Sequence, residues 1–269
     1  MLQRVTSSVI GIMLLIVVLA SGKVYINIAI ALISFVALLE LYSAVGLAKY
    51  LPLQILGLIA SFAFTYAHSL DSILLMPLLY VYIALLFLIY MMESNSLKLS
   101  DISKMFFITV YVCFFLGHIV FIRKMPYGEF LICIVFLSAF LTDTFAYLAG
   151  RFFGKHKLCP QISPKKTIEG AIGGLIGSTI GIVAYGWILQ FAFHFEVNYT
   201  YIAILGFSSS VMAQFGDLSA SVIKRQYAVK DYGHIMPGHG GVMDRFDSVI
   251  FTAPFIYFFI NTFAIIWKV

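Results

Sequence analysis

The chain reads as a succession of long apolar runs separated by short polar stretches. Nine runs are long enough to cross, or nearly cross, a hydrocarbon core of ~30 Å. They cover roughly residues 5–20, 24–47, 51–66, 74–90, 105–122, 130–150, 167–193, 199–217 and 249–267. A backbone in lipid must satisfy its own hydrogen bonds, and these runs lack the strict alternation of barrel strands, so each is predicted to be a helix. The close spacing of the first three leaves a count of eight open. Arg4, the apolar stretch 9–20 and the small residues Ala20, Ser21 and Gly22 have the outline of a secretory signal. A second apolar run follows almost at once, so the segment is read as a first membrane helix.

The polar residues divide the chain unevenly. Residues 1–128 carry few of them and read as scaffold helices. From Asp143 onward, acids, bases, glycines and prolines gather at helix ends, so 129–269 reads as the catalytic part of one integrated domain. The expected fold class is an all-α, polytopic integral membrane protein.

Composition agrees with the pattern. Hydrophobic residues make up 62% and charged residues 11% of the 269 positions, against about a quarter charged in a soluble domain. The mean hydropathy is +1.00. The net charge of +5 comes without a Lys/Arg-rich tail or a basic strip interleaved with aromatics, so nucleic acid is not an expected partner. Cys113, Cys133 and Cys159 form no CxxC pair and no even set, which argues against a disulfide framework or a zinc site.

The placement of positive charge predicts an orientation. With the flanks of the runs alternating sides, thirteen Lys and Arg residues fall on the N-terminal side and four (Lys23, Arg123, Lys124, Lys268) on the other. The positive-inside rule puts the thirteen, and the N-terminus, in the cytosol. The two richest loops dominate this count. The expected location is the cell membrane, crossed many times, with the active site on the cytosolic face.

Ionisable side chains in membrane helices are costly and mark function by default. Asp143, Glu169, Asp217 and Asp244 lie at predicted helix ends, and Glu40 lies in the second run. At helical spacing Gln214, Asp217, Ser221, Lys224 and Arg225 share one face, which joins a carboxylate, an amide, a hydroxyl and two cations. The stretch 230–241 follows, with Lys230, Asp231, Gly233, Pro237, His239, Gly240 and Gly241, and is too rich in Gly, Pro and His for a helix. It contains no P-loop pattern. Asp244, Arg245 and Asp247 close the segment, and hard oxygen ligands beside a phosphate suit Mg²⁺. A second cluster holds Asp143, Tyr147, Gly150 and Arg151 on one helix face, then Ser163-Pro164-Lys165-Lys166. Ser163 with Pro164 reads as an N-cap and first helical residue, which would aim a positive helix end and two lysines at an anion. Gly170, Gly173, Gly174 and Gly177 give the small-residue spacing of close helix packing, which permits a homodimer without requiring one.

The run Ser221-x-Ile223-Lys224-Arg225-x4-Lys230-Asp231-x-Gly233-x3-Pro237-x-His239-Gly240-Gly241-Val242-x-Asp244-Arg245-Phe246-Asp247 resembles the signature of the phosphatidate cytidylyltransferases, also called CDP-diglyceride synthases. Met236 departs from the pattern by a swap that keeps bulk and polarity. The stretches 143–154 and 163–170 also look like this family, and the resemblance covers roughly 130–269. It implies that CTP and phosphatidate give CDP-diacylglycerol and pyrophosphate at the membrane, with Mg²⁺ alone or with a second, monovalent cation. It also implies roles. Asp217 and Asp244, with Asp247 and Asp231 next, would be metal ligands, and Asp217, Asp231 and Asp247 would also be catalytic. Ser221, Lys224, Arg225, Lys230 and Arg245 would join them in catalysis. Asp143, Tyr147, Arg151, Ser163, Lys165, Lys166, Gly240 and Gly241 would bind substrate. His239 either shapes its loop or bonds a phosphate. Asp143 binds metal, orders Tyr147 or pairs with a base.

Three other readings stand beside this one. The same chemistry on an ether-linked lipid phosphate would be separated by substrate assays. An ion-coupled transporter would place its acids near the midplane in two related halves, whereas here they gather toward one face and no repeat is evident. A structural subunit without catalysis gives no reason for the segment 230–247.

Overall fold

The computed structural model describes residues 2–70, 72–235 and 240–268. Its helices are α1 (Leu2–Ala20), α2 (Lys23–Ala44), α3 (Leu51–Leu70), α4 (Leu75–Met92), α5 (Leu99–Lys124), α6 (Gly128–Phe153), α7 (Ile168–Phe193), α8 (Tyr199–Gln226) and α9 (Met243–Thr262). Each expected apolar run is thus a helix. Among the described residues, α2 to α7 are six helices long and apolar enough to cross a membrane. α8 and α9 have the length, at 28 and 20 residues, but polar and charged site residues dilute their apolar character.

Among the described residues, four short strands flank the helices: β1 (Lys157–Cys159), β2 (Ser163–Thr167), β3 (Glu196–Val197) and β4 (Ile266–Trp267). β1 pairs antiparallel with β2, and β3 with β4. Two expectations are corrected here. The last apolar run was expected as helix to residue 267, but the helix ends at Thr262 and the chain returns as β4. Ser163 does not cap a helix. It opens β2, where Pro164 is tolerated because a short two-stranded ribbon has open edges. The α7 cap is Thr167, whose Oγ1 accepts the Gly170 N–H at 3.1 Å.

By contact the chain forms two compact units, Met1–Glu129 with Gln226–Phe246, and Phe130–Arg225 with Asp247–Val269. In the first, α2, α3 and α5 pack on one another and α4 packs on α3 and α5. Leu38, Leu41, Leu53, Leu116 and Ile119 are fully buried there. Thr109 Oγ1 lies 2.7 Å from the hydroxyls of both Tyr42 and Tyr82 and donates to the Met105 carbonyl, so this buried polar cluster is satisfied. Met76, Tyr80, Met91 and Met92 on α4 are exposed, as lipid-facing side chains should be.

In the second unit, glycines of α7 seat the side chains of α6. A Cβ added at Gly173, Gly177 or Gly181 would overlap Ala149, Phe145 or Leu141 respectively. The small-residue stripe is thus used for close packing within the chain. Buried hydroxyl pairs, Ser138 with Ser209 at 2.7 Å and Thr142 with Ser210 at 2.8 Å, join α6 to α8. Such bonds average about 0.6 kcal/mol between membrane helices, so they set register more than stability.

Candidate functional site

The second unit holds a cavity of about 360 Å³, within the ~300–1,000 Å³ range of small-molecule sites. Its walls come from α6, the β1–β2 hairpin, the start of α7 and the middle of α8. Close backbone approach makes it. A Cβ at Gly170 would lie 2.8 Å from the Ala146 carbonyl, and one at Gly150 would lie 3.0 Å from Thr167 Oγ1. These two glycines bring the N-terminal turn of α7 against α6. The positive end of the α7 dipole therefore lies at the cavity wall.

The chemistry of the lining is mixed by sign. Arg151, Lys165 and Lys166 supply three cations, and Asp143 and Asp217 two carboxylates, with Tyr147 and Gln214 beside them. Lys166 Nζ stands 2.5 Å from Asp217 Oδ2, and Ser221 Oγ donates to Asp217 Oδ1 at 3.4 Å. Arg151 donates to the Tyr147 hydroxyl at 3.2 Å. Gln214 donates to the Ala171 carbonyl at 3.1 Å, pinning α8 to α7. A concave wall with three cations and a helix N-terminus suits an anion, and Asp143 and Asp217 add carboxylate oxygens to it.

Asp247 joins this group from α9. Gly216 of α8 packs so closely that a Cβ there would overlap the Asp247 carbonyl, which sets Asp247 near the next α8 residue, Asp217. The Asp247 carboxyl is 8% exposed, and it feels the charges of Asp217, Asp143 and Lys224. Its Oδ1 accepts the Ser248 N–H at 2.7 Å, and Ser248 Oγ reaches Asp143 Oδ2 at 3.5 Å. Ser248 therefore bridges two of the three acids. The sequence reading missed it, and the only signal was a hydroxyl directly after Asp247.

Two expected site residues, Arg225 and Ser163, lie outside the cavity lining. Arg225 donates through Nε to the Ile162 carbonyl at 3.1 Å, holding the hairpin that carries Lys165 and Lys166. Ser163 lies in that hairpin, outside the cavity lining. Glu169, in the first turn of α7, accepts the backbone N–H groups of Lys155 and His156 and pairs with the His156 ring at 2.6 Å.

The remaining expected residues belong to the first unit. Asp244, 7% exposed, accepts through Oδ2 the N–H groups of Tyr232 at 2.8 Å and Gly241 at 3.0 Å. It thereby ties the backbone at Tyr232 to that at Gly241. Gly240 has φ +83°, a left-handed conformation that favours glycine. A Cβ there would lie 2.9 Å from Asp244 Oδ2. Lys230 and Arg245 are exposed, and Asp231 is half-buried. His239 lies outside the described residues. Among the described residues, no group of three or more His, Cys, Asp or Glu side chains is gathered to hold a metal ion.

Comparison with known proteins adds the following. The cytidylyltransferase family matches residues 2–263. The phosphatidate cytidylyltransferase of Bacillus subtilis (strain 168) is 33% identical over 276 aligned positions, covering 98% of this chain and 99% of that protein. The protein of the same name from Staphylococcus saprophyticus is 32% identical, covering 94% of this chain and 96% of its own length. That of Rickettsia bellii is 35% identical over 70% of this chain and 81% of its own.

Proposed function

This chain belongs to the cytidylyltransferase family, and from that premise we propose that it transfers the cytidylyl group of CTP to phosphatidate, giving CDP-diacylglycerol and pyrophosphate for phospholipid synthesis. It is a membrane-embedded nucleotidyltransferase. The observation that carries the site assignment is the cavity where Arg151, Lys165, Lys166 and the α7 N-terminus face Asp143 and Asp217.

The reaction demands charge management more than proton transfer. A phosphate oxygen of phosphatidate forms a bond to the α-phosphorus of CTP. The bond from that phosphorus to the bridging oxygen breaks, and its electron pair leaves with pyrophosphate. A phosphomonoester is already anionic near neutral pH, so no strong base is required. Preorganised cations aimed at the developing charge are the main catalytic resource. Lys165, Lys166 and Arg151 line the cavity to bind substrate phosphate. Lys166 neutralises Asp217 in the free protein and is the base placed to turn toward an incoming phosphate. Ser221 orients Asp217, and Lys224 offsets the charge of Asp247. Lys230, Asp231, His239, Gly240, Gly241 and Arg245 belong to the same reaction through the signature they share.

The donor chemistry fits Mg²⁺. Asp217 and Asp247, with Asp143, offer hard oxygens. Mg²⁺ is held by one or two carboxylates with waters and substrate phosphates, rather than by an all-protein cage. Bound there, it would withdraw charge from phosphate oxygens that grow more negative as pyrophosphate departs. Asp244, whose Oδ2 serves two backbone N–H groups, acts in this proposal by shaping its loop. The excess of Lys and Arg on one side supports a site that faces the cytosol.

The test is direct. Purified protein in detergent and lipid, given labelled CTP, phosphatidate and Mg²⁺, should form CDP-diacylglycerol. Folded protein that forms no product would overturn the proposal.

A further inference from the structure

Glu40 sits on α2, in the half of the chain read as scaffold, and far in sequence from every residue of the signature. It is 6% exposed. A carboxylate buried among membrane helices is expensive unless its oxygens are satisfied. Here both are. Oε1 accepts the Val242 N–H at 3.0 Å and Oε2 accepts the Met243 N–H at 2.8 Å. Met243 opens α9, and the first N–H groups of a helix have no partner inside it. An anion at that position also meets the positive end of the helix dipole. The two bonds are charge-assisted and aimed at consecutive amides, so they fix the direction of the backbone as well as its position.

The loop is shaped to receive this side chain. A Cβ at Gly233 would overlap Glu40 Oε1, and a Cβ at Gly241 would overlap Glu40 Oε2. Two glycines of the signature therefore make room for one carboxylate. Asp244 closes the same loop from inside, through Tyr232 and Gly241. The backbone at Tyr232, Gly241, Val242 and Met243 is thus tied by two acids, Asp244 beside it in the chain and Glu40 from α2.

We propose that Glu40 is a positioning residue for the transfer reaction: its carboxylate, seated against Gly233 and Gly241, holds the signature loop and the first turn of α9 in their working shape. Glu40 touches no reacting group. It acts through the backbone that carries Lys230, Asp231 and Arg245. This inference rests on the proposed activity for its kinetic arm but not for its structural arm.

The experiment uses the full-length protein. Glu40→Gln keeps the size but turns one acceptor into a donor facing an N–H. With a properly folded variant, kcat should fall by about 10- to 100-fold while KM for CTP stays within about twofold. Amide exchange over residues 240–244 should accelerate, and other segments should keep their protection. Gly233→Ala should reproduce both effects, because its Cβ displaces the carboxylate. In a Glu40→Ala background, Gly233→Ala should cost little more, since the displaced group is already gone. Normal kcat and unchanged exchange in Glu40→Gln would overturn the proposal. So would a Gly233→Ala cost that adds in full to that of Glu40→Ala. If Glu40→Gln does not fold, Gly233→Ala alone decides through exchange and kcat. A wild-type protein without transferase activity would refute the function, while the exchange data would still test the role of Glu40.

Discussion

Asp217 is held between Lys166, 2.5 Å from one oxygen, and Ser221, 3.4 Å from the other. Asp217→Asn keeps the shape, removes the charge that pairs with Lys166 and relieves the repulsion that Asp217 exerts on Asp247. Turnover should fall by ~10²–10³-fold, the range for loss of one preorganised electrostatic group. Thermal unfolding in detergent should change little, because the side chain is partly exposed and loses only a screened ion pair. Near-normal turnover would remove Asp217 from the metal site. At this scale the sequence was most legible where cost is highest. Asp143 and Asp217 stood out because ionisable groups in apolar helices require a reason, whereas Asp247 was noticed as a hard-oxygen ligand beside Asp244 and Arg245; Asp143, Asp217 and Asp247 share one unit with Lys166 and Lys224. Ser248 carried no such cost and passed unnoticed. Glu40 was visible as an expense, but its partners lie 202 and 203 positions away, beyond any local pattern.

The start of α7 shows how an element can be read correctly and bounded wrongly. Ser163-Pro164 has the form of an N-cap, and so does Thr167 with its following turn. Local propensity does not choose between them. The β1–β2 pairing does, because Lys157 pairs with Thr167 and Cys159 with Ser163, which keeps residues 163–167 extended. Thr167→Ala should therefore cost about 1 kcal/mol, as loss of an N-cap does. Ser163→Ala should stay within about 0.5 kcal/mol, as a surface change does. Thermal or denaturant unfolding of the two variants checks the assignment, and the reverse ranking would restore Ser163 as the cap. The end of α9 has the same lesson. Apolar composition extends to Trp267, but β3 supplies partners for Ile266 and Trp267, and tertiary pairing overrides the hydropathy run.

For the whole molecule, the apolar pattern was enough to locate every helix, because lipid leaves the backbone so few alternatives. It did not reveal that residues 226–246 cluster with the N-terminal helices, since that depends on bonds between distant segments. Orientation remains open to a simple measurement. Trypsin should cut at Lys155, Lys157 or Lys165 in inside-out membrane vesicles and leave them intact in right-side-out vesicles. The opposite result would invert the proposed topology.

The clasp between Glu40 and Met243 also has a consequence for how the protein is made. The two residues are 203 positions apart. At ~5–20 residues per second on the ribosome, α2 is synthesised about 10–40 s before its partner amides exist. During that interval the Glu40 carboxylate must find protons, water or another donor inside the membrane. The signature loop cannot set until nearly all of the chain has been translated. An incomplete chain is thus left without the two amides that satisfy Glu40.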